Sequence, residues 1–169
     1  WYFTSSTKKD IIISTALMII PAVIYIAIRS SILSKYGSDG DAAIVDNFLN
    51  AAPDKASYLA TAVMLLGKYL WMLLIPTPLV SDYSFNQIPI VGWADWRVLL
   101  SLLVYLALAA YSIFKIKKRS PIVFGILFFL ISISIYSNVL MPIGSSFAER
   151  FMFLPSLGFC IALVFGCAK

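Results

Sequence analysis

Glu149 and Arg150 stand side by side in the run 137–159, between two apolar stretches long enough to meet lipid. An adjacent acid and base in that position cost several kcal/mol beside hydrocarbon unless they pair, reach an interface or meet a ligand, so an intramembrane pair of this kind marks a functional site by default. Arginine presents a planar fork of donors matched to phosphate or carboxylate and keeps its charge, which suits it to clamp the phosphate of a lipid arriving from the bilayer. Glu149 could orient that guanidinium or contact a sugar hydroxyl. The plainer alternative is an ordinary loop ion pair.

A second cluster, Asp82, Tyr83 and Asn86 within 79–89, sets a carboxylate, an amide and a ring close together. That mixture suits carbohydrate, since acids and amides bond hydroxyls while ring faces stack on C–H faces. An Asx turn at Asp82 and an interfacial anchor at Tyr83 would explain the same residues. Asp46 and Asn47, just before Phe48 and Leu49, form a third and weaker cluster that equally reads as a helix cap. Lys68 is a lone cation inside an apolar stretch, and could add positive charge near Arg150. There is no histidine, so this sequence can build neither a His-based triad nor a His-ligated metal site. Cys160 and Cys167, seven residues apart on one expected helix, have Cα atoms about 10 Å apart, too far for a disulfide. They read as small apolar packing residues.

The elements that must position these groups are membrane helices. With 61% hydrophobic and 12% charged residues and a mean hydropathy of +0.92, the chain is an all-α polytopic membrane protein. The net charge of +5 sits at membrane edges and not on one face, which argues for orientation signals and against nucleic acid. Four stretches match the ~17–25 apolar residues of a span: 11–28, 98–114, 121–141 and 151–168. Pro21 within the first should kink the helix and not break it. A fifth apolar stretch, 58–75, carries Lys68 in its middle and is closed by Pro76.

Charge arbitrates the fifth stretch. Lys115, Lys117, Lys118 and Arg119 crowd one short link, and Lys8 and Lys9 precede the first span. Short basic links stay on the cytoplasmic side, and both clusters share that side only if the fifth stretch does not cross. It is therefore read as a re-entrant or interfacial helix over 58–76 with Lys68 snorkelling to water, the alternative being a full span with Lys68 facing a bundle interior. The resulting organisation is a first transmembrane helix in 1–33, an outer-face module in 34–97 and three further transmembrane helices in 98–169. Segment 34–56 is a polar loop with a short ordered piece at 46–49, and 76–96 is aromatic chain at headgroup level. A chain that opens on Trp1 and ends at Lys169 beside an apolar run is read as a fragment.

The runs Ser137-Asn138, Pro142 to Ala148-Glu149-Arg150 and Leu154-Pro155-Ser156, together with 66–76, 79–84 and Asp46-Asn47, resemble the transmembrane and tetratricopeptide-repeat O-mannosyltransferases and their bacterial relatives. Phe48 stands where that family's motif has proline after Asp-Asn, and Phe153 where tyrosine is usual. The resemblance implies a GT-C type glycosyltransferase that takes a hexose, mannose in that family, from a polyprenyl-phosphate carrier and passes it to a hydroxyl of an exported protein. It implies an active site on the outer face of a bacterial inner membrane or equivalent, with the catalytic acidic residue in an outer loop upstream of Trp1. Lys68, Glu149 and Arg150 would then bind the lipid phosphate, and Asp46, Asp82, Tyr83 and Asn86 the sugar or acceptor. No metal site is assigned, and any need for a divalent metal is left open. A transporter or flippase segment, or the membrane anchor of a tetratricopeptide-repeat protein, would keep the same residues in other roles.

Overall fold

A computed structural model describes residues 7–36, 47–77, 83, 88–140, 143 and 145–168. Five α-helices and three short 3-10 turns make up the regular structure of those residues, with no strand among them. Four helical stretches, Lys9–Ile32, Lys55–Leu74, Trp96–Lys118 and Glu149–Cys167, are long and apolar enough to cross a membrane, as an integral membrane protein requires. The first 41 residues and the remainder form separate compact units.

In the first unit, α1 (Lys8–Tyr36) is a single 29-residue helix that continues through Pro21. Its start is fixed by a reciprocal cap: the Asp10 amide donates to Thr7 Oγ1, and the Thr7 hydroxyl donates to Asp10 Oδ2 at 2.6 Å. Its large apolar side chains are exposed on every side, from Ile12 to Ile32. Such a surface is a lipid-facing or helix-facing one.

The second unit begins with a 3-10 turn, Phe48–Ala51, capped by the Asn47 side chain. Then follow α2 (Lys55–Leu74), α3 (Trp96–Lys115), α4 (Pro121–Tyr136) and α5 (Phe153–Cys167). Asp54 caps α2 by accepting from the Ser57 amide and hydroxyl, and these bonds hold its carboxyl below the usual aspartate range. Ile75 ends α2 just before Pro76. Asp95 caps α3, with Arg97 gripping the same carboxylate through two bonds of 3.0 and 2.7 Å. The link between α3 and α4 is the 3-10 turn Ile116–Lys118, closed by Arg119 in the left-handed region at φ 47°. Pro121 then opens α4 at its first turn, where a missing N–H costs nothing.

Helix α4 is shorter than expected. The apolar pattern runs over 121–141, yet the helix stops at Tyr136 after 16 residues. The Ser137 hydroxyl turns back to the Ser134 carbonyl, and Asn138 adopts φ 56°, which its short amide side chain tolerates. Helix α2, by contrast, runs unbroken for 20 residues and has the length and composition of a span. Cys160 and Cys167 are free, as their spacing requires, but exposed and not packed.

Packing inside this unit is close where residues are small. A Cβ on Gly158 would lie 2.6 Å from the Gly125 carbonyl oxygen, so α4 and α5 touch backbone to backbone. Between α2 and α3, the Ser101 hydroxyl donates to the Val63 carbonyl at 2.6 Å and the Tyr105 hydroxyl to the Leu66 carbonyl at 3.0 Å. Small-residue contacts and interhelical hydroxyl bonds are how helices associate in lipid, where burial in water's absence gives little drive.

Candidate functional site

Residues 137–152 return from α4 to α5 and bring Glu149 and Arg150 to the end of α4 remote from the basic link. With 16 residues in α4, the two ends are about 24 Å apart at ~1.5 Å per residue. The return is organised by two buried asparagines. Asn47 Nδ2 donates to the Ile143 carbonyl at 2.8 Å and to Asn138 Oδ1 at 3.3 Å, while the Asn138 amide donates to the carbonyls of Ser145 and Ser146. Asn138 Oδ1 also accepts from the Ile143 amide at 3.0 Å. A buried network with this many partners fixes one conformation, because an unpaired amide there would carry the full desolvation cost.

Helix α2 supplies the second anchor. Tyr69, only 1% exposed, accepts the Ala148 amide on its hydroxyl at 3.1 Å and stacks on Phe147 with ring centroids 4.3 Å apart. Tyr83 also meets Phe147, edge to face, with ring centroids 4.6 Å apart, and its hydroxyl donates to Glu149 Oε1 at 3.4 Å. The neighbouring Lys68 Nζ lies over both rings, 4.5 Å from the Tyr83 centroid and 4.8 Å from that of Phe147. A cation over an aromatic face is attracted by the ring quadrupole, and more strongly when desolvated. Burial first, and then the Glu149 charge, push the Tyr83 phenol above its usual range, so it stays protonated and donating. The exposed Arg150 guanidinium lies over the Phe151 ring at 5.3 Å.

Four sequence-predicted residues are therefore gathered around one loop: Lys68, Tyr83, Glu149 and Arg150. Lys68 differs from the expectation in detail, since it is half-buried over rings and not simply extended to water. Asp46, Asp82 and Asn86 lie outside the described residues. Asn47 does cap, as its position before two apolar residues suggested, but it also ties the return loop across 91 residues of sequence. Phe147, Tyr69 and Asn138 were not singled out as positioning residues from the sequence. Periodicity gives no sign of them, because each acts through a partner far along the chain. Among the described residues no group of three potential metal ligands comes together.

Helices α2 and α3, with Ile88 and Pro89, also border an open, mostly apolar cavity of about 580 Å³, which Lys68 and Arg97 line together with Trp71, Trp96, Leu100 and Val104.

Residues 43–109 match the family described as Protein O-mannosyl-transferase TMTC, DUF1736, a region that takes in α2, Tyr83 and most of α3 but not Glu149 or Arg150. Protein O-mannosyl-transferase TMTC1 of Mus musculus is 31% identical over 131 residues, 73% of this chain and 14% of that protein. Protein O-mannosyl-transferase TMTC3 of Mus musculus is 26% identical over 164 residues, 94% of this chain and 17% of its own. Protein O-mannosyl-transferase TMTC4 of Mus musculus is 35% identical over 103 residues, 57% of this chain and 14% of its own. The chain thus spans 14–17% of the length of these relatives. No solved structure matches it.

Proposed function

We propose that this relative of the transmembrane and tetratricopeptide-repeat O-mannosyltransferases, which carries their module over 43–109, is part of a protein O-mannosyltransferase. The enzyme draws a hexose from a polyprenyl phosphate at the outer face of its membrane and passes it to a hydroxyl of an exported protein. The observation that supports this most is the 3.4 Å contact of Tyr83 with Glu149, which brings Tyr83 and the arginine-bearing loop to one place. That place lies at the opposite end of α4 from Lys117, Lys118 and Arg119, as a positive-inside orientation with an outer-face site demands.

The chemistry asked of the site is charge neutralisation. The acceptor oxygen bonds to the anomeric carbon, the bond from that carbon to the phosphate oxygen breaks, and its electron pair leaves with the phosphate. The acceptor's proton goes to an acidic residue that the family resemblance assigns to another loop. Arg150 and Lys68 would stabilise the departing phosphate, and fixed charges in a dry site do this far better than water. Glu149, held by Tyr83, would orient the arginine or bind a sugar hydroxyl.

Replacing Arg150 with alanine in the full-length protein should cut hexose transfer by about a hundredfold or more while leaving membrane insertion intact. The assay is transfer of labelled hexose from a polyprenyl phosphate to an acceptor peptide in membranes. Turnover at the unsubstituted rate would refute the assignment.

A further inference from the structure

We infer that the cavity between α2 and α3 holds the tail of the prenyl phosphate, with Lys68 standing where tail gives way to phosphate. The inference rests on the transferase reading above and adds the place of the lipid. At about 580 Å³ the cavity falls within the ~300–1,000 Å³ typical of small-molecule sites. Its walls are apolar, and its rim residues Trp71, Leu74, Trp96 and Leu100 are all more than half exposed, so a tail can enter sideways from the bilayer. Exposed tryptophans favour the headgroup level, where a lipid's phosphate sits.

Charge complementarity selects the occupant. Two cations line the cavity, and Arg97 is already held by both oxygens of Asp95. Lys68 is different. It lines the cavity, yet its ammonium lies over Tyr83 and Phe147, and Tyr83 bonds Glu149. An anion with one apolar tail matches an apolar groove that ends at a cation, and the same cation leads into the sugar-side cluster. A free sugar phosphate would leave the groove empty. An ordinary phospholipid would have no use for the connection to Glu149. The groove's walls are fixed, because Ser101 and Tyr105 bond α3 to the Val63 and Leu66 carbonyls of α2, and a Cβ on Gly67 would lie 2.9 Å from Ser101 Cβ, so the two helices run close there.

The test uses full-length protein in lipid nanodiscs and a sugar-free prenyl phosphate bearing a diazirine in its tail. Photolabel should map to peptides of α2 and α3. Val104→Trp, which fills the groove, and Leu100→Trp, at its exposed rim, should each lower labelling about tenfold in protein that elutes and melts as the parent does. Lys68→Gln should weaken labelling by the phosphate while sparing labelling by the corresponding uncharged prenyl alcohol. Label outside α2 and α3 would overturn the inference, as would full labelling of both tryptophan variants. So would phosphatidylglycerol competing as well as unlabelled prenyl phosphate. If labelling fails while Arg150→Ala still abolishes transfer, the groove is wrong and the transferase reading stands. If labelling maps as expected while Arg150→Ala transfers normally, the lipid site stands and the transferase reading falls.

Discussion

The α4–α5 contact and the α2–α3 contact solve the same problem by opposite means. At Gly125 and Gly158 two backbones meet so closely that no side chain fits between them. At Ser101 and Tyr105 hydroxyl groups reach across to carbonyls of α2, and a cavity of about 580 Å³ remains beside them. In lipid, close backbone approach gathers dispersion contacts, whereas a hydroxyl bond sets a distance without filling the space around it. The tight pair is suited to support, since its two helices flank the 137–152 loop. The spaced pair is suited to function, since Lys68 and Tyr69 project from α2 onto that loop.

The comparison is best broken at the glycines. Gly158→Val would push a side chain into the Gly125 carbonyl and the Phe129 amide, backbone atoms that cannot swing away. Overpacking of this kind should cost about 3 kcal/mol or more, read as a lowered midpoint of thermal unfolding in detergent. Ser101→Ala removes one interhelical hydroxyl bond and keeps the Cβ that faces Gly67, so it should cost only about 1 kcal/mol in the same measurement. Equal losses from the two substitutions would show that the helix pairs are held alike.

The smallest effect is expected at the start of α3, where the Arg97 guanidinium beside Asp95 holds its carboxyl below the usual aspartate range. A depressed folded-state value means that the cap's contribution is complete above the ordinary aspartate range and disappears as pH falls through the lowered one. Hydrogen exchange at the first amides of α3 should therefore stay protected into mild acid and rise only below it. Asp95→Asn should remove that pH dependence while leaving α4 and α5 unaffected.

Much of this was readable from residue order. The all-helical membrane class follows from apolar runs and edge charges, and the pairing of α3 with α4 from a link too short for anything but a tight turn. Lys68 was legible as an anomaly in an apolar helix, but its partners were not, since Tyr83 and Phe147 are 15 and 79 positions away. The end of α4 is not legible in the sequence, because apolar residues continue past Tyr136, while the Asn138 amide just beyond the helix acts through carbonyls seven and eight residues on.

Residue types alone fixed which segments shun water, where charge must stay at an edge and which pair of ions demanded an explanation, because transfer free energy is a property of each side chain. Only the tertiary arrangement settled which ring, hydroxyl and cation meet, and that a cavity lies beside Lys68. Those depend on distances between helices, and such distances are set by contacts between residues that the chain order keeps far apart.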